Sequence, residues 1–285
     1  MLPAARSAWA LTREVAQRFG RDGCGLMAAA TAYYGLLSLI PLGALAVSIF
    51  GRVLGSSQAA EEQVLALLRS VVPLEAPAVE QAIRGWPQPR GSWFVEVVSV
   101  LGLLWAGSRL FRTLEEVLTR ISSGQAPARH LFARNLLALA ATAGAALLFV
   151  AITVVTAATG ALRETVAAAL PEAAADGDLL QRLGLILGAW LMFLLMYQSL
   201  PQPRIAWLHS AAGAAVAAVM WEAARMAFQR LVIHSAAYGR LYGSLAGIML
   251  VAIWIYVTAA VMLLGAELAV ALQGRAGGDE QPCSA

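Results

Sequence analysis

Lysine is missing from these 285 residues: all twenty basic side chains are arginine. Cysteine occurs twice, at Cys24 and Cys283, near opposite ends of the chain. Neither belongs to a C-x-x-C pair, which excludes a disulfide framework or a cysteine zinc site. The three histidines, His130, His209 and His234, form no H-x-H or H-x-x-x-H pair. There is no Walker A motif, no G-x-S-x-G and no Rossmann glycine pattern, and "GRDGCG" has neither the spacing nor the context of one. No catalytic residue, metal site or cofactor is therefore expected, and the chain is not read as an enzyme. Charge is scarce as well. Only 13% of residues are charged, against about a quarter in an ordinary soluble domain. The net charge of +3 is too small and too dispersed for a nucleic-acid footprint.

What is abundant is apolar residues, 60% of the chain, with a mean hydropathy of +0.70. They come in long blocks, the mark of a polytopic membrane protein. Six runs meet the roughly 20 apolar residues a spanning helix needs: 26–50, 93–111, 135–160, 183–200, 207–228 and 245–272. The fourth ends at Pro201 and Pro203. The fifth contains "AAGAAVAAV", small residues that favour close helix packing. The expected fold is all-α, a bundle of six transmembrane helices over 26–272. An N-terminal interfacial helix precedes it within 1–25, a helical outer loop spans 51–92, and a disordered tail follows over 273–285. "SAWALTREVAQRF" supplies the interfacial helix, with Trp9, Thr12, Val15, Ala16 and Phe19 on one face. "AAEEQVLALLRSVV" supplies the outer cap, with Val64, Leu67, Leu68 and Val71 at helical spacing. The first 25 residues carry four arginines and no apolar core, so no cleavable signal peptide is expected.

Arginine counts set the orientation. Four precede the first span, five lie between the second and third, and Arg204 and Arg275 make eleven on one side, against eight on the other. The positive-inside rule then places both termini in the cytoplasm of a multi-pass protein.

Several residues inside or beside the spans stand out. In "AAATAYYGLLSLIPLGAL", Pro41 falls near mid-membrane and deprives the Leu37 carbonyl of its helical partner. A kink or a broken helix is expected, with Ser38 or a neighbouring helix bonding the freed carbonyl. Broken helices also mark transporter sites, which makes Tyr33, Tyr34, Ser38 and Pro41 candidate cavity residues. "WEAARMAF" places Glu222 and Arg225 three residues apart on one helical face, near the level of Glu96 in the second span. An interfacial ion pair and a charged patch in a cavity between helices are both consistent with that spacing. Gly243 and Gly247 have G-x-x-x-G spacing and suit close helix packing. Glu267 interrupts the most apolar run. It lies ~33 Å along the helix from Leu245, hence at the inner interface. Arg109 and Arg112 stand at matching depth in the second span, so a locking ion pair from Glu267 to either is the simplest reading, with a proton-coupling role second.

"TAYYGLLSLIPL", "YQSLPQPRIAW" and "YGRLYGSLAGIMLVAIWIYVTAAVMLLGAELAVAL" resemble the YihY/BrkB-like bacterial inner-membrane family, some members of which were once labelled ribonuclease BN. The resemblance runs from about residue 20 to 272 and is most specific over 238–272. Matching positions include Tyr33, Tyr34, Ser38, Pro41, Tyr197, Pro201, Tyr242, Gly243, Ser244, Trp254, Gly265, Ala266 and Glu267. It implies six helices in the bacterial cytoplasmic membrane and no agreed substrate. Thr119 stands where many relatives have Asn.

Three functions follow. The first is a transporter or exporter passing an amphiphilic or anionic substrate, such as a lipid, between helices. The second is an envelope-maintenance or scaffold protein without transport. The third is the nuclease label, for which the sequence offers no convincing metal ligands or acid–base pair facing water.

Overall fold

The structure is a computed structural model that describes residues 2–54, 93–123, 177–234 and 246–278. Among the described residues there are six helices and no strand. They are α1 (Leu2–Arg21), α2 (Cys24–Leu54), α3 (Trp93–Ser123), α4 (Gly177–Ser199), α5 (Trp207–His234) and α6 (Ala246–Gly278). Three stretches are long and apolar enough to cross a membrane, Val97–Ser123, Trp207–Arg230 and Gly247–Ala276. Shorter apolar stretches occupy Cys24–Leu39 and Ile186–Ser199. The expected third span, 135–160, and the outer cap from residue 55 onward lie outside the described residues.

α1 is amphipathic. Leu11, Val15, Arg18 and Phe19 turn inward, while Trp9, Thr12, Arg13 and Ala16 are exposed. The apolar face expected from spacing is thus rotated: Val15 and Phe19 pack, but Trp9 is 73% exposed. Arg18 and Arg21 in the last turn suit the negative end of the helix dipole. The helix stops at Asp22–Gly23, where Gly23 takes the left-handed φ of 68° that a residue with a Cβ rarely adopts. The chain turns there directly into α2.

α2 runs through Pro41 without interruption, so of the kink or break expected there the break does not occur. Gly102 of α3 faces the proline ring, and a Cβ there would stand 3.4 Å from that of Pro41. Ser38 bonds the carbonyl of Gly35 at 2.7 Å rather than that of Leu37. α3 extends to Ser123, a dozen residues beyond the expected span. Phe111, Leu114, Leu118 and Ile121 are buried at three- and four-residue spacing, so the helix continues as an amphipathic rod.

α6 is the hub. It packs against α5, α2, α1 and, along a narrower face, α3, while α2–α3 and α4–α5 form the other large interfaces. The α5–α6 contact depends on missing side chains. A Cβ on Gly265 would meet Ala217 and the Tyr197 hydroxyl at 2.6 Å, and one on Gly213 would collide with the Gly265 carbonyl. Ala214, Ala217 and Ala218 complete this fully buried small-residue seam. Away from it, Leu101, Trp105, Leu191, Leu195, Val219 and Ile253 are exposed. So many exposed large apolar side chains suit hydrocarbon and not water.

The segment between α4 and α5 is held from three sides. Thr119 Oγ1 accepts from the Gln202 N–H at 3.3 Å, the Gln198 amide donates to the Ile205 carbonyl at 3.2 Å, and Gln273 Oε1 accepts from the Ala206 N–H at 2.8 Å. α6 itself continues to Gly278, six residues into what the sequence reading takes as a disordered tail. Residues 279–285 lie outside the described residues.

Candidate functional site

The ionisable groups of the spanning helices gather at two depths. The first is on α5. Glu222 is buried, and Arg225 one turn on donates to it through two bonds, Nη2 to Oε1 at 2.6 Å and Nε to Oε2 at 2.8 Å. The fork of a guanidinium matches both oxygens of a carboxylate, which gives the strongest form of such a bond. The pair lies ~22 Å along α5 from Trp207. Beside it, Trp221 donates to the Thr258 hydroxyl at 3.3 Å and its ring lies 5.8 Å from that of Trp254, which also meets Phe228. This arrangement is a desolvated, closed pair of charges on a membrane-spanning helix.

The second group lies farther along α6 from Thr258, toward its C-terminal end, around Glu267. Glu267 is 0% exposed. Its Oε1 accepts from the thiol of Cys24 at 3.4 Å, and its Oε2 has no partner. The expected bond to Arg109 or Arg112 is therefore corrected. Arg109 is exposed, and the buried Nε of Arg112 itself lacks a partner. The reason is the direction of packing: α6 turns this face to α1 and α2, and its contact with α3 is narrower. The charged groups near Glu267 include Asp22, from the turn, and Arg18 and Arg21, from α1.

An ionic clasp closes over this end. Glu14 of α1 accepts from Arg18 at 2.9 Å and from Arg275 of α6 at 2.8 Å. The hydrogen bond from Arg275 holds the Glu14 carboxyl below its ordinary range, offset in part by desolvation, with Arg18 adding to the lowering. Arg21 bonds Asp22 at 3.1 Å. Tyr197 of α4, fully buried, donates its hydroxyl to the Met262 carbonyl beside Gly265.

The remaining described candidates lie on α2, α3, α5 and α6. Tyr33 is exposed, and its ring makes an edge-to-face contact with Tyr34 at 5.4 Å. Tyr33, Tyr34, Ser38 and Pro41 sit on α2 against α3 and α6, whereas Glu222 and Arg225 sit on α5 against α4 and α6. α6 packs against both of these helices. Glu96 falls on α3, outside the described side chains. Gly247 is buried at the start of α6, and Gly243 lies outside the described residues. Among the described residues no group of three or more His, Cys, Asp or Glu is placed to hold a metal ion.

Spacing gave no sign of three contributors: Cys24, Thr119 and Gln273. Each acts on a residue at least 67 positions away, so only the packed bundle identifies it. Thr119 supplies the acceptor for the Gln202 N–H.

The family model described as Virulence factor BrkB matches residues 15–284. A UPF0761 membrane protein of Halorhodospira halophila is 26% identical over 92% of this chain and 58% of its own length. One from Alkalilimnicola ehrlichii is 27% identical over 90% of this chain and 57% of its own. One from Vibrio parahaemolyticus is 26% identical over 90% and 80%. The chain thus spans less than three-fifths of the length of the first two. No solved structure matches.

Proposed function

The chain belongs to the Virulence factor BrkB family of membrane proteins, and on that premise we propose that it moves an amphiphilic or anionic substrate between its helices, without acting as an enzyme. The observation that carries the reading is the Glu222–Arg225 pair: a carboxylate and a guanidinium, both largely buried, on a helix long and apolar enough to span the membrane. Ionisable groups at such depth are costly, and in membrane proteins they mark substrate or ion pathways. Opening this pair frees a planar donor fork suited to a phosphate or carboxylate headgroup, while the exposed apolar faces of α3, α4 and α5 suit an acyl chain.

In this reading the protein is a six-span protein of the bacterial inner membrane, with residues 2–21 and the end of α6 on the cytoplasmic side. The arginine excess supports that side. The Glu14–Arg275 bond supports an even number of crossings, because it ties the first helix to the end of the last. Cys283 is then unreactive toward a membrane-impermeant thiol reagent in intact cells, and labelling there overturns the orientation. A second reading, an envelope-maintenance or scaffold protein, draws on one observation: the pair is satisfied within its own helix.

Native mass spectrometry of the purified protein separates the two. Transport predicts an anionic amphiphile retained by the wild type and lost from Arg225→Gln. Equal lipid retention by both forms favours the scaffold.

A further inference from the structure

Glu267 presents a problem that the transport reading does not use. The carboxylate is fully enclosed on a membrane-spanning helix, with a thiol on one oxygen and nothing on the other. Ionised, it would be a buried charge without a bonded cation, a state that costs several kcal/mol or more.

The surrounding groups offer no such cation. From α1, Arg18 is bonded to Glu14 and Arg21 to Asp22, and Arg275 farther along α6 is also on Glu14. From α2 comes the Cys24 thiol, a weak donor. From the turn comes Asp22, a second acid, with its Oδ1 on Arg21. α4 contributes the Tyr197 hydroxyl, committed to the Met262 carbonyl. α5 contributes Gly213 and Ala217 at the seam and, one turn before Gly213, His209, whose buried Nδ1 has no hydrogen-bond partner and so is not bonded to Glu267. α3 carries Arg112 and Glu115 at this end of the bundle, and no salt bridge joins Arg112 to Glu267.

We propose that Glu267, with Cys24 and Asp22, forms a binding site for a single proton, carried on Glu267 Oε2 and directed at Asp22. The proton comes from water at the clasped end of the bundle and converts the carboxylate to a carboxylic acid. Oε1 then acts as the carbonyl and accepts from the thiol of Cys24, while Oε2–H supplies the donor its oxygen lacks. Both oxygens are thereby satisfied, as a buried polar group requires. Position gives the site its consequence. Asp22 and Cys24 flank Gly23, the left-handed turn joining α1 to α2, so the proton bonds that turn to the hub helix.

The test is infrared spectroscopy of the full chain in phosphatidylcholine nanodiscs at neutral pH. The expected result is a protonated-carboxyl C=O band that is absent from Glu267→Gln and shifts to higher frequency in Cys24→Ala, which removes the donor to that carbonyl. Glu267→Gln keeps the fold, since its amide reproduces a donor and an acceptor. A spectrum unchanged by Glu267→Gln overturns the proposal. So does a band that Cys24→Ala leaves in place, or a Glu267→Gln protein that unfolds as readily as Glu267→Ala.

Discussion

Glu222 of α5 and Glu267 of α6 are both buried acids on membrane-spanning helices, yet they are satisfied by different means. Glu222 has a guanidinium on both oxygens, supplied three residues along its own helix. Glu267 has a thiol on one oxygen, supplied from 243 residues away. The first pairing is local and forms whenever α5 forms. The second exists only after α1, α2 and α6 have packed. A charge balanced within one helix can be carried through a membrane with that helix, whereas one that depends on tertiary contact is better carried neutral.

Removing the cation from the first site is expected to have the largest effect. Arg225→Leu strands Glu222 as a buried, unpaired carboxylate and is expected to cost about 3–5 kcal/mol, read as unfolding in a mild detergent titrated with a denaturing one. The double variant Glu222→Gln/Arg225→Leu should regain much of that loss, since it leaves no charge behind. A double variant no better than the single one would mean that the pair is held by packing and not by its charges.

The seam that holds the Glu267 half of α6 against α5 comes next. Gly265→Ala places a methyl within contact of Ala217 and the Tyr197 hydroxyl and is expected to cost about 1–3 kcal/mol, the range for overpacking a tight interface. Gly188→Ala is the control, because a Cβ there meets nothing within 4 Å. It should be neutral or stabilising, by up to about 1 kcal/mol of helix propensity. Equal losses from the two would remove the seam from the account.

A smaller effect is expected at the clasp. Its side chains are partly solvated, with Arg275 41% and Glu14 32% exposed, so screening limits Glu14→Gln to about 0.2–1 kcal/mol. The sign with pH follows from Arg275 holding the Glu14 carboxyl below the ordinary carboxylate range. The contribution is fully present above that range and disappears as pH falls through the lower folded-state pKa. Thermal midpoints of wild type and Glu14→Gln should therefore differ at pH 7 and converge in acid. A gap that widens in acid would contradict the assignment.

The same contrast between local and distant partners explains what could be read from sequence. The apolar runs locate the described spanning helices, and the i, i+3 spacing of Glu222 and Arg225 is enough to bring them together, because helical geometry alone sets that distance. The small residues of "AAGAAVAAV" likewise indicate the close seam before its partner Gly265 is known. Depth matching did not supply a partner for Glu267. Arg109 and Arg112 stand at the right level, but depth says nothing of rotation about the helix axis, and that rotation turned Glu267 toward Cys24. Pro41 shows the same limit: its ring can bend or break a helix, and spacing alone did not say that α2 would continue through it against Gly102 of another helix. The extent of α3 beyond residue 111 was present in the sequence as buried positions at three- and four-residue spacing, hidden only by a reading that ended where the hydropathy fell.

Unfolding of Glu222→Gln and Glu267→Gln, measured side by side in one detergent at pH 7, tests the difference between the two acids most directly. Each replaces a carboxylate by an amide of nearly the same shape. The account predicts a drop of several degrees in Tm for Glu222→Gln, which leaves Arg225 without its counter-charge, and a Tm for Glu267→Gln within about one degree of the wild type, since a buried acid already carrying a proton loses little to an amide. A Glu267→Gln protein as destabilised as Glu222→Gln would contradict it, because Glu267 would then be an ionised partner of a cation and not the neutral acid inferred from its enclosed, unbonded oxygen.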